Sequence, residues 1–173
     1  MIRVLVTYAS KHGGTAELAD VVAGALREAG IDAELRSANE VREVAGFDAV
    51  IVGSAVYMNK WQGSAIDVLK RLERHPEVKV WMFSSGPTGG SPESDEKAAE
   101  IIAAQPAAPG EAGKRAAKVR ARDHATFGGR VTEEMGGFFE RWMPRGDWRD
   151  LSAARAWSAG IGDELLEARL EGG

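Results

Sequence analysis

The chain has 173 residues, a formal net charge of −4 and no cysteine. Its length suits a single domain, residues 1–173, able to bury a real core. The missing thiols exclude disulfide frameworks, thiolate metal sites and cysteine nucleophiles, and mild acidity with 28% charged residues argues against a nucleic-acid binder and against disorder.

The elements alternate along the chain. Ile2 to Tyr8 is apolar at nearly every position except Arg3, the pattern of a strand covered on both faces. A break, Ala9-Ser10-Lys11-His12-Gly13-Gly14, leads into a helix over Thr15 to Ala29 with Leu18, Val21, Val22, Ala25, Leu26 and Ala29 on one face and Gly30 as its stop. Asp32 to Arg36 alternates polar and apolar like an outer strand, and Ala49 to Gly53 is another buried strand. Ser54 to Lys60 is predicted as a loop. Trp61 to Arg74 is predicted as a helix with Ile66, Leu69 and Leu72 inward.

Val78 to Phe83 is the fourth strand and Ser84 to Pro92 a Gly/Pro loop. Helix signals resume over Glu93 to Ala104. Gln105 to Gly113 (QPAAPGEAG) reads as a flexible excursion, and Lys114 to Ala121 as a helical turn. Asp123 to Phe127 is the fifth strand, ended by Gly128-Gly129. Phe138 to Met143 is a short amphipathic piece, and Leu151 to Leu170 a last helix with Leu151, Ala154, Trp157, Ile161 and Leu165 on one face. Five strands alternating with helices imply an α/β fold with a parallel sheet and helices on both faces. Ligands of such sheets bind beyond the carboxyl ends of the strands.

Three loops at that edge carry the chemistry. The first, Ser10-Lys11-His12-Gly13-Gly14-Thr15, offers hydroxyls, adjacent glycines and the start of a helix, whose free N–H groups and partial positive charge suit a terminal phosphate. The same residues also serve as an ordinary helix cap and turn. It contains neither a Walker Gly-Lys-Ser/Thr nor a G-x-G-x-x-G fingerprint. A receiver domain is disfavoured too, because the ends of strands one and three, Tyr8-Ala9 and Gly53-Ser54, lack magnesium-binding carboxylates. The second loop, Ser54-Ala55-Val56-Tyr57, is small enough for a flat ligand to approach, with Tyr57 to contact a ring. Trp61 reads as a residue docking its helix on the sheet. The third, Ser85-Gly86-Pro87-Thr88-Gly89, offers amides and hydroxyls to the polar edge of a heterocycle.

Taken together these loops resemble the flavodoxin-like superfamily over nearly the whole chain. The resemblance is greatest to the flavodoxin-domain proteins related to menaquinone-dependent protoporphyrinogen oxidase. It is carried by Tyr8 to Thr15, Val52 to Tyr57, Phe83 to Pro87, Phe127-Gly128-Gly129 and Gly146-Asp147-Trp148-Arg149-Asp150. It implies a doubly wound five-stranded sheet of order 2-1-3-4-5. It also implies bound FMN, with phosphate on Ser10 to Thr15 and isoalloxazine between Ser54–Tyr57 and Ser85–Gly89. An FMN-dependent oxidoreductase follows, with a quinone and a porphyrinogen as its redox partners. The phosphate loop departs from the Thr-Gly-Asn/Thr-Thr of many flavodoxins. The stretch between Gly129 and Asp147 is shorter than the insertion of the protoporphyrinogen oxidase itself.

Two alternatives stay open: a flavodoxin-type electron carrier, and a flavin-free binding or regulatory module. No catalytic side chain is nominated and no metal is expected, since His12, His75 and His124 are not spaced as a metal pair. His12 is either an exposed loop residue or a group near the phosphate. The bases Lys114, Arg115, Lys118, Arg120, Arg122, Arg130, Arg141, Arg145 and Arg149 are either a solvated face or a patch for an anionic partner. Phe138 to Met143 is either a lid or a peripheral membrane contact. The N-terminus lacks a signal-peptide pattern and no run reaches a membrane span, which predicts a cytoplasmic protein. The oligomeric state is left open.

Overall fold

The structure is a computed structural model; it describes residues 1–86, 108–131, 146–147 and 149–172. Its centre is a parallel sheet formed by β1 (Arg3–Ala9), β2 (Asp32–Ser37), β3 (Ala49–Tyr57), β5 (Lys79–Ser85) and β6 (His124–Thr126), in the order β2-β1-β3-β5-β6. Counting only these five, the order is 2-1-3-4-5, as the resemblance implies. A short strand, β4 (Lys60–Trp61), pairs antiparallel with the end of β3. β7 (Arg130–Val131) and β8 (Gly146–Asp147) form a separate antiparallel ribbon. Four α-helices accompany them among the described residues: α1 (Gly14–Glu28), α2 (Gly63–Leu72), α3 (Gly110–Lys118) and α4 (Leu151–Glu171).

The central strands have no solvent face, so their side chains alternate between two cores. Val4, Val6, Ile51, Trp81 and Phe83 pack with Leu18, Val22 and Leu26 of α1 and Ile161 and Leu165 of α4. Leu5, Val50, Val52, Val80 and Met82 pack on the other face with Leu69 and Leu72 of α2, Ala112 of α3 and Val119. Burying each of the larger side chains contributes roughly 1.5–3 kcal/mol. β2 is an outer strand: Asp32 is exposed, Ala33 is buried, and Glu34 to Ser37 are half-buried on both faces.

Several boundaries differ from expectation. Ser54 to Tyr57 is not a loop: β3 continues through Tyr57, turns at Met58 and Asn59, and returns as Lys60–Trp61. Both turn residues have positive φ, 48° and 58°, the conformation of a tight two-residue hairpin. A Met-Asn pair is a poor advertisement for such a turn, because methionine rarely adopts it. Trp61 therefore lies on β4, and α2 begins two residues later.

The excursion expected over 105–113 is also revised where it is described. Ala108 and Ala112 are buried and α3 runs from Gly110, so the helical turn expected from Lys114 starts earlier. The segment's Pro and Gly content masked a helix that is held by packing. Leu151, expected inward, is 40% exposed at the start of α4. Asp150 caps that helix, its Oδ1 accepting from the Ala153 amide at 2.8 Å. Glu93–Ala104, residues 105–107 and Phe138–Met143 lie outside the described residues.

Gly53 shows how tightly the sheet is closed. A β-carbon there would lie 2.0 Å from Cζ of Phe83, whose ring is fully buried on the adjacent strand. Replacing Gly53 by Ala is expected to destabilise the fold by about 1–3 kcal/mol through overpacking. A urea titration reads this as a lower midpoint with an unchanged slope.

Candidate functional site

The strand register sets the site. Ala9 pairs with Ser54, Ser54 with Ser84, and Ser84 with Thr126, so the carboxyl ends of four strands lie in one row. The loops after β1, β3 and β5 leave from that row. This is where a doubly wound sheet meets its ligand, because inside the sheet every backbone polar group is already paired.

The first loop is built as an anion cup. Gly13 has φ 83°, a left-handed conformation that needs glycine, and its amide donates to Ser10 Oγ at 2.8 Å. No side chain caps α1, which leaves the first-turn N–H groups to face the loop. Thr15 is buried at the start of the helix, whereas Lys11, His12 and Gly13 are exposed. The Lys11 ammonium lies 4.0 Å from the ring centroid of Tyr57, a cation–π contact that joins the first loop to the β3–β4 hairpin.

At the second loop the Ser54 hydroxyl serves the hairpin: it donates to the Ala55 carbonyl and accepts from the Gln62 amide, both at 2.9 Å. What Ser54 offers a ligand is small size. Ala55, Val56 and Tyr57 are half-buried along the same edge. The hairpin borders a depression of about 290 Å³ lined by Tyr57, Met58, Lys60, Trp61, Gln62 and Gly63. Below the row, the Trp61 indole N–H donates to Ser84 Oγ at 2.8 Å, and Ser84 Oγ also bonds His124 Nε2 at 2.8 Å. Trp61 of β4 and His124 of β6 are thus both tied to β5 through Ser84. At the third loop Ser85 and Gly86 are buried, and the Gly86 amide donates to the Gly128 carbonyl at 2.9 Å. Pro87, Thr88 and Gly89 lie outside the described residues.

The ribbon adds residues that reading the loops alone missed. Arg130 and Asp147 face each other across β7–β8. Arg149 has a side chain only 5% exposed. Its guanidinium donates to both carboxylate oxygens of Asp147, at 2.8 and 2.6 Å, and pairs with Glu17 in the first turn of α1. Arg130 reaches Glu17 from the other side at 3.0 Å. Hydrogen bonding from Arg149 holds the Glu17 and Asp147 carboxyls below their ordinary range, and the same bonds, that to Asp147 first, raise Arg149. Gly146 and Asp147 of the late motif thus pair with Arg130 and Val131, just after Gly128-Gly129, beside the loop after β1.

Four of the late bases are paired with acids among the described residues. Arg115 pairs with Glu73 and Glu111, Arg122 with Glu164, and Arg130 and Arg149 with Glu17. Among the described residues no cluster of His, Asp and Glu could hold a metal ion, and no helix is long and apolar enough to cross a membrane.

This fold and edge define a flavodoxin-like α/β protein. Residues 5–145 match the family model described as Flavodoxin domain, and the chain belongs to that family. Solved structures share the fold at low identity. An archaeal flavodoxin has a TM-score of 0.62 and 15% identity, with 95% of this chain and 99% of that one covered. Flavodoxin 1 from Bacillus cereus has a TM-score of 0.58 and 16% identity, covering 91% and 95%. The rubredoxin oxygen:oxidoreductase of Desulfovibrio gigas has a TM-score of 0.60 and 18% identity; the match covers 97% of this chain and 37% of that one. No curated protein matches the chain. The cofactor is FMN and the role is FMN-linked redox chemistry. The uncapped helix, the glycine-built cup and the small residues at the ends of β3 and β5 fit that group.

The Arg149 pairs give a pH prediction. A depressed carboxyl stabilises the fold above its unfolded pKa, ~4.3 for Glu and ~3.9 for Asp, and that contribution disappears as pH falls through the folded value. Arg149→Met is therefore expected to lower the melting temperature by a constant amount above roughly pH 5, with the gap from the parent shrinking below roughly pH 4. Thermal melts of both proteins at stepped pH measure this; a gap independent of pH contradicts the assignment.

Proposed function

We propose that this chain is an FMN-dependent oxidoreductase, not a one-electron shuttle. The observation that carries this is the Lys11–Tyr57 contact, which places an ammonium at the edge where the flavin ring is expected. The flanking segments hold further positive charge and no acid. Lys60 follows Tyr57 on the hairpin, and no carboxylate occurs from Ala9 to Ala16 or from Gly53 to Ile66. A fixed positive charge favours a ligand that gains negative charge on reduction, whereas an acidic rim opposes it. Bound FMN supplies the electron transfer itself. Ser10 to Thr15 would hold its phosphate, and Ser54 to Tyr57 with Ser85 and Gly86 would lie against its ring.

The narrower reading is quinone-linked, protoporphyrinogen oxidase-like activity in the cytoplasm, supported by the Gly146–Asp150 segment of the resemblance. The carrier reading predicts an acidic rim. The flavin-free module reading predicts that the cup binds no FMN.

The purified protein is expected to be yellow and to take FMN in preference to FAD. A colourless protein that takes up no added FMN rejects the reading. Thr15→Val is expected to weaken FMN binding, measured by quenching of flavin fluorescence. In a redox titration the enzyme reading predicts a single two-electron wave, and Lys11→Met should lower its midpoint by roughly 20–40 mV, about 1–2 kcal/mol for such a couple. Two widely separated one-electron steps favour the carrier instead. Quinone-dependent oxidation of protoporphyrinogen tests the narrower activity; absence of turnover above background removes it and leaves the flavin assignment intact.

A further inference from the structure

We propose that Arg130 is a phosphate-recognition residue that releases Glu17 and pairs with the terminal phosphate of the flavin. This deepens the FMN reading and rests on it.

The argument begins with position. A β-carbon on Gly13 would lie 3.9 Å from the Arg130 guanidinium nitrogen Nη2, and one on Gly14 would lie 3.7 Å from Arg130 Cβ. The arginine thus lies along both glycines of the cup, with its charged end at Gly13. Gly13 is the residue whose left-handed turn shapes the cup. A β-carbon on Gly14 would also meet Arg149 Cδ at 3.9 Å, so both arginines line this wall of the loop.

Charge then separates the two. Glu17, Asp147, Arg130 and Arg149 sum to zero. Arg149 binds both acids and is buried, so removing it would leave Asp147 without its paired guanidinium and Glu17 with Arg130 alone. Arg130 reaches Glu17 through one contact of 3.0 Å and its side chain is 28% exposed. Glu17 would keep Arg149 if Arg130 turned away. Of the two arginines, Arg130 is therefore the exchangeable one.

Arrival of the ligand supplies the reason to exchange. A phosphate monoester carries roughly −1.5 to −2 charges near neutral pH. At the α1 terminus it meets amides and the partial positive charge of the helix, but also Glu17 in the first turn. A guanidinium that turns from Glu17 to the phosphate removes that conflict, and its planar fork matches phosphate oxygens. No bond is made or broken: one ion pair replaces another, with Glu17 retained by Arg149.

The test compares FMN with riboflavin, which has the same ring and lacks the phosphate. Arg130→Met is expected to weaken FMN binding roughly 10- to 100-fold, the range of a charge-assisted hydrogen bond, and to leave riboflavin affinity unchanged. The remote Arg122→Met, which breaks a pair with Glu164, should change neither. Equal loss of both flavins in Arg130→Met, or no loss of FMN, overturns the proposal. A second measurement needs no variant: in the parent protein, the preference for FMN over riboflavin should fall as salt rises, and a preference flat in salt overturns it. A parent that binds neither flavin instead refutes the FMN reading on which this depends.

Discussion

Every backbone amide and carbonyl inside a sheet covered on both faces must be paired, and this constraint organises the molecule. β1, β3 and β5 bury apolar side chains into two cores, one under α1 and α4 and the other under α2 and α3. Nothing polar is left to a ligand except at the strand ends. Parallel pairing brings those ends to one edge, with Ala9, Ser54, Ser84 and Thr126 in a single row. The same closeness explains Gly53, which lets the Phe83 ring rest against its strand.

The chemistry at that edge comes from two kinds of group. Backbone shapes the first loop: Gly13 turns left-handed, and α1 starts without a side-chain cap. Side chains then add charge. Lys11 rests on the Tyr57 ring at the end of β3, and Glu17, Arg130, Arg149 and Asp147 form a cluster of zero net charge beside the loop after β1. Buried Arg149 anchors the β7–β8 ribbon to α1, so the late chain is part of the wall of the cup.

Much of the fold was legible because it rests on local pattern. The apolar run of β1, the α1 stripe ending at Gly30 and the inward faces of α2 and α4 all follow from periodicity and capping chemistry. The hairpin at Met58-Asn59 was not legible, since neither residue favours positive φ strongly enough to announce a turn. Nor was α3, where Ala108 and Ala112 become core only because α2 and the sheet are there to meet them. The glycine turn and helix start over Ser10 to Thr15 could be read from one continuous stretch. Glu17, Arg130 and Arg149 could not, because their relation spans more than a hundred positions and no local period records an ion pair.

The sequence by itself determined the class of the fold and the glycine turn that leads into α1, both of which depend on residues a few positions apart. The excess of base in the late segment was visible there too, but its meaning was not. Only the tertiary structure showed that Arg115, Arg122, Arg130 and Arg149 are matched by acids from distant elements. The physical reason is range. Helix and strand periods act through neighbours along the chain, whereas the charge at a point in space is a sum over whatever the fold has brought there.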